Sequence, residues 1–189
     1  MSSLKRIHIY GHVSAQPQAI ANLFGAQLAS EIVVESDLAI FAINPAAGID
    51  QTTIDQWQAL SDYQLPRLVI VNELDGSDAD FEDAIMLANR VFDQLVTPYL
   101  VLHSDTGSPI ALISLDELQI IDYSTKSPTT SPSEAEHQEL VAEFREEYLE
   151  ELAGAGENAF AAGLLFPAIP IVLSNGLGVD IVQSFIDQL

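Results

Sequence analysis

The sequence predicts an α/β fold built on a short parallel sheet, on three observations. Apolar runs of strand length, such as Leu38 to Ile43 and Leu68 to Val71, are continuous rather than alternating, as in strands buried on both faces. Segments of helical period separate them. This strand–helix alternation holds over residues 6–95, the mark of successive βαβ units. At 189 residues and 48% hydrophobic content, the chain is long and apolar enough for one sizeable core.

The elements follow in order. Residues 6–13, from Arg6 to Val13, are β-rich and meet Gly11, so they read as a strand entering a loop. Pro17 suits a first helical position, and the apolar set from Ile20 to Ala29 reads as the helix it opens. The run ending at Asn44-Pro45 is the second strand. Ile54, Trp57 and Leu60 form the apolar stripe of a second helix. Arg67 to Asn72 is a third strand. Phe81, Ile85, Ala88, Phe92 and Leu95 recur at three- and four-residue intervals, as an amphipathic helix requires. The pattern then changes. Tyr99 to Leu102, Pro109 to Leu115 and Leu118 to Tyr123 follow one another without a helix, so they should pair antiparallel. Residues 124–133, rich in Ser, Thr and Pro, read as an exposed loop. Residues 134–152 read as one helix, with Leu140, Val141, Phe144, Tyr148 and Leu152 on one face. Residues 155–165 read as a shorter helix, Ala168 to Leu173 as a strand, and Val179 to Leu189 as the closing helix. The expected organisation is an α/β core over 1–97 and 164–189, with a small α+β insert over 98–163.

Charge narrows the function. The chain carries 28 Asp and Glu against six Lys and Arg, a net charge of −22. Only 18% of residues are charged, so the acidity reflects missing bases. Direct nucleic-acid binding needs Lys and Arg against phosphates and is not expected. Anionic membranes are disfavoured for the same reason. With no cysteine, thiolate catalysis and Cys-ligated metals are excluded. No signal-like apolar region follows the first residues, and the stretch 159–173 is too short and too rich in proline to span a bilayer. The expected setting is the cytoplasm.

Four motifs resemble one family. Gly11-His12-Val13-Ser14-Ala15 follows the first strand. Ser36-Asp37 leads through the apolar run to Asn44-Pro45-Ala46-Ala47-Gly48-Ile49. Pro66-Arg67-Leu68-Val69-Ile70-Val71-Asn72-Glu73-Leu74-Asp75 precedes Ala79-Asp80-Phe81. Phe166-Pro167, a strand and Ser174 precede Gly178-Val179. Together these resemble the GTPase domain of translation elongation factor G, and 109–123 resembles that factor's G′ subdomain. The resemblance implies a three-layer P-loop-GTPase-like fold with a G′-like insert.

The departures carry as much information. A P-loop, G-x-x-x-x-G-K-[ST], cradles phosphate with backbone amides, a Lys and a Mg²⁺-binding hydroxyl. Counted from Gly11, its last three positions hold Gln16, Pro17 and Gln18. Pro17 removes both an ammonium and a backbone N–H. The interval to Asp37 has room for one helix, and no D-x-x-G occurs, so both switch regions lack counterparts. The N-K-x-D element becomes Asn72-Glu73-Leu74-Asp75, and Ser174-Asn175 stands for Ser-Ala. Asn72, Asp75 and Ser174 are thus the candidate guanine-binding residues. Alternatively, Asn72 and Asp75 hold loops through side-chain–backbone bonds.

The leading expectation is a pseudo-GTPase: a protein-binding or regulatory module with no catalytic residues, no cofactor and a protein partner. Weak guanine-nucleotide binding is the alternative, and divalent-metal binding by the loop from Asp75 to Asp83 a third. That loop also reads as a capped helix start, with Asp78 or Asp80 as the cap. The four histidines do not form a metal-binding pattern, and G-x-S-x-G is missing. The acidic run 134–151 reads as a solvated helix face or a docking face for a basic partner. If the switch strands are missing, about four core strands remain, with 6–13 at an edge open to homodimerisation.

Overall fold

A computed structural model describes residues 4–72 and 80–189. Its core is a parallel sheet of β1 (Ile7–Tyr10), β2 (Gln27–Leu28), β3 (Leu38–Ile43), β4 (Arg67–Val71), β5 (Leu95–Val96) and β10 (Phe166–Pro170). The spatial order is β2-β1-β3-β4-β10-β5, and every pairing is parallel. β3 and β4 are buried at every position. Successive side chains point to opposite faces, so both faces are covered, which explains the unbroken apolar runs. The helices between these strands are α1 (Pro17–Phe24), α2 (Gln51–Leu60) and α3 (Phe81–Val91), and α6 (Val179–Asp187) closes the chain. An aromatic cluster fills the sheet's centre. Phe41 stacks on Tyr10 at 5.0 Å, and Trp57 stacks on Phe92 at 4.4 Å between ring centroids.

A second sheet is antiparallel, in the order β6 (Tyr99–His103), β7 (Pro109–Ser114), β8 (Gln119–Asp122) and β9 (Thr129–Pro132). It is followed by α4 (Ala135–Leu140) and α5 (Ala142–Ala155). Among the described residues, no helix is long and apolar enough to cross a membrane.

Five expectations are corrected. The strand 6–13 does not form the sheet edge. The four long core strands are present, but β2 pairs with β1 through His8↔Gln27 and Ile9↔Leu28 and takes the edge position. Among the described residues the sheet therefore has six strands, two of them only two residues long. The first helix stops at Phe24, because Gly25 adopts φ 63° and closes it with a bond to the Ala21 carbonyl. The loop 124–133 contains β9, whose four residues are all exposed. The helix over 134–152 is two helices. Val141, at φ −103° and ψ 4°, breaks it and turns inward to 5% exposure. The break spoils the expected stripe, leaving Leu140 72% and Phe144 38% exposed. Residues 157–163 form turns instead of a helix. Gly163, at φ 72°, closes them so tightly against Gln64 that a Cβ would come 2.1 Å from its carbonyl oxygen.

Candidate functional site

The carboxyl ends of parallel strands are where open α/β sheets bind ligands. Here β1, β3, β4 and β10 deliver the loops beginning at Gly11, Asn44, Asn72 and Ile171 to that edge. Gly11 has φ 152°, and a Cβ there would lie 2.5 Å from the Ala42 carbonyl oxygen, so the loop leaves β1 pressed against β3.

The loop after Gly11 bonds to itself. His12 caps a 3-10 turn over Val13–Ala15: the Ser14 N–H donates to His12 Nδ1 at 3.2 Å. The Ser14 hydroxyl pairs with the same nitrogen at 2.8 Å. The Ala15 N–H donates to the His12 carbonyl and the Gln16 N–H to the Val13 carbonyl, both at 3.0 Å. Gln16 then adopts φ 53° and ψ 52°, a left-handed conformation that suits glycine and strains other residues. Pro17 follows as the first helical residue, buried and without an N–H. Gln18 is exposed and its side-chain amide donates along α1 to Asn22 Oδ1 at 3.1 Å.

Two asparagines hold this turn from below. Asn72, 1% exposed at the end of β4, donates from Nδ2 to the Ala15 carbonyl at 2.8 Å. Asn44, following β3, donates from Nδ2 to the Ser14 carbonyl at 2.9 Å while its Oδ1 accepts from Ala46 N–H. The loop-holding role weighed for Asn72 is thus what its geometry shows. Asn44 was visible in sequence only as a strand end before proline, and His12 only as a motif position. The signal that could have found Asn44 is that an amide side chain stands at the same strand end as Asn72 one strand away.

Ser174 is exposed in the turn after β10, where Val172 and Leu177 form a bridge. Its neighbour Asn175 accepts from Leu177 N–H and donates to the Pro109 carbonyl of β7 at 3.0 Å, tying this turn to the second sheet. Asp75 and most of the loop from Asp75 to Asp83 lie outside the described residues. Asp80 and Asp83 form a reciprocal capping box at the start of α3, with Asp83 N–H donating to Asp80 Oδ1 at 2.9 Å. Glu82 beside them is pushed up by burial, then by the charges of Asp80 and Asp83. Among the described residues, no group of three or more His, Asp or Glu could hold a metal ion.

Five of the six bases are engaged elsewhere. Lys5 donates to the Ile186 carbonyl, Arg6 pairs with Asp37, and Arg67 is buried at the start of β4. Arg90 ends α3, and Arg145 on α5 donates to the Asp116 carbonyl.

No family model matches the chain. Curated relatives do. An elongation factor G-like protein of Mycobacterium tuberculosis is 29% identical over 167 residues, which cover 76% of this chain and 23% of that protein. The mitochondrial ribosome-releasing factor 2 of Drosophila melanogaster is 28% identical over 128 residues, covering 62% of this chain and 17% of that protein. The chain thus spans less than a quarter of these relatives' length. Among solved structures, one from Thermus thermophilus superposes with a TM-score of 0.68 at 22% identity, covering 81% of this chain and 26% of that one. Over 76% of its length, the chain is similar in sequence to an elongation factor G-like protein.

Proposed function

We propose that the chain is a pseudo-GTPase, a protein-binding or regulatory module that does not hydrolyse nucleotide. One observation carries the reading. The N–H groups of Ser14, Ala15 and Gln16 donate to acceptors within their own loop, and Pro17 has none to offer. A phosphate cradle needs those N–H groups aimed outward at the anion. Opening the loop would break bonds already made, and the P-loop Lys position is Pro17, which has no charge to offset that. Phosphoryl transfer depends almost wholly on such positioning and charge stabilisation. The setting we propose is the cytoplasm, alongside the relation to translation factors. The partner would be a protein, and the acidic helices α4 and α5 suit a basic one by charge.

Calorimetry with GDP and GTP, each with and without Mg²⁺, tests this together with phosphate-release measurements. The expected outcome is no saturable heat and no phosphate release above buffer. Stoichiometric guanine-nucleotide binding lost in Asp75→Ala would replace the pseudo-GTPase reading with a live base-binding site. Ca²⁺ or Mg²⁺ binding without nucleotide would instead support the metal reading.

A further inference from the structure

Asn175, in the turn after β10, stands where the resembled family has Ala, and Gly176 follows it. Of the six asparagines in the chain, only this one precedes glycine. An unconstrained Asn-Gly pair deamidates by itself, because glycine carries no Cβ to hinder its nitrogen and its backbone rotates freely. The glycine nitrogen bonds to the asparagine Cγ, the Cγ–Nδ2 bond breaks, and the displaced N–H proton leaves with the amide nitrogen as ammonia. Water then opens the cyclic imide to aspartate or isoaspartate.

The fold holds the reacting groups apart from that path. The Gly176 N–H donates to the Val172 carbonyl at 2.9 Å, and the Val172 N–H donates to the Leu177 carbonyl at 3.1 Å and closes the turn. Asn175 Oδ1 accepts from the Leu177 N–H at 2.9 Å, while Nδ2 donates to the Pro109 carbonyl at 3.0 Å. Asn175 itself is exposed, so water reaches it and these bonds, rather than burial, stand in the way. One of them crosses to β7, which makes the protection depend on the join between the two sheets. The same join is held by the Tyr123 hydroxyl, which donates to Asp180 of α6 shortly after the turn. Once the amide is lost, the carboxylate has no N–H to give Pro109 and faces a carbonyl oxygen, so the tie is not remade.

We propose that Asn175 is a self-modifying site, deamidated through Gly176 only when the join between the two sheets opens. The inference is independent of whether nucleotide binds. The full chain is incubated in mildly alkaline buffer, with and without guanidinium chloride, and the peptide carrying Asn175 is followed by mass spectrometry. Deamidation is expected in denaturant, and about tenfold or more slowly in the folded chain, which reacts only through local opening. Tyr123→Phe weakens the join and should speed the folded-state reaction about fivefold while leaving the denatured rate unchanged. Asp180→Ala removes the other partner of that bond and gives the same readout. Equal rates in the folded and denatured chain would overturn the proposal, as would no deamidation in denaturant. So would a folded-state rate that both variants leave unchanged.

Discussion

The two ends of the parallel sheet treat charge in opposite ways. At the amino ends, Arg67 opens β4 and is 2% exposed. Its guanidinium lies between two rings, 4.2 Å from the Trp57 centroid and 4.4 Å from that of Phe166. It donates to the Trp57 carbonyl at 3.0 Å and to the Ser61 hydroxyl at 3.1 Å, and lies 3.6 Å from Asp93. The Trp57 indole N–H donates to the same carboxylate at 2.9 Å. Burial lowers the Arg67 pKa, and the Asp93 charge opposes the shift. At the carboxyl ends, neutral amides from Asn44 and Asn72 do the holding. A cation that serves a phosphate must keep its charge free for the ligand, whereas the charge of Arg67 is committed to two rings, the Trp57 carbonyl and the Asp93 carboxylate. The buried cation Arg67 stands at the amino ends, where packing uses it, whereas the loop at the carboxyl end of β1 has Pro17 at the position of a P-loop Lys.

The largest expected effect tests the charged end. Arg67→Ala should lower the unfolding free energy by about 3 kcal/mol, through lost volume and lost ring contacts together. Arg67→Met should recover part of that by restoring the stem's packing. Asp93→Asn should cost under about 1 kcal/mol, because the Asp93 side chain is 52% exposed and the pair is screened. Urea titration measures all three. The contrast between the ends breaks if Arg67→Ala proves no worse than Asp93→Asn, since the carboxylate would then be the organiser.

The neutral end comes next. Asn72→Ala strips the buried Ala15 carbonyl of its donor and should cost about 1–3 kcal/mol. Asn44→Ala should cost less, since Asn44 is only half-buried. The reverse order in thermal unfolding would move the clamp's weight from β4 to β3.

The smallest effect concerns the join between the sheets. The Tyr123 hydroxyl, just past β8, donates to Asp180 of α6 at 2.5 Å. Burial raises its pKa, and the hydrogen bond to Asp180 and that residue's charge raise it further. A phenol with a raised folded pKa contributes stability below its unfolded value of about 10, and that contribution is lost as pH climbs beyond it. Tyr123→Phe should cost about 1 kcal/mol near neutral pH. It should also flatten the loss of stability on the alkaline side. A variant whose alkaline unfolding midpoint matches the wild type would show that another group titrates there.

Much of the core was legible because both-face burial leaves unbroken apolar runs, as in β3, and because α3 repeats its apolar residues at helical spacing. β2 was not legible, since two residues carry no period. Neither was β9, because Thr129, Thr130, Ser131 and Pro132 are all exposed and so show no apolar alternation. The stretch 157–163 misled in the other direction. Its apolar content suggests a helix, but Gly156 at φ 86° and Gly163 at φ 72° bend the backbone into turns. At the site, the loss of Lys and N–H at Pro17 could be read directly. The inward bonding of Ser14, Ala15 and Gln16 could not, because backbone donors leave no trace in residue identity.

The position of β10 sets when the core sheet can be complete. β10 lies between β4 and β5, and among the described residues β5 pairs only with it, through Phe166↔Leu95 and Pro167↔Val96. Each strand of the antiparallel sheet instead finds its partner next in sequence. Local pairings form faster than distant ones, because less chain entropy is lost in closing them. On a ribosome, Leu95 and Val96 emerge long before Phe166. The hairpins after them need no residue beyond Pro132 to pair, whereas the core sheet is complete only once β10 has been made.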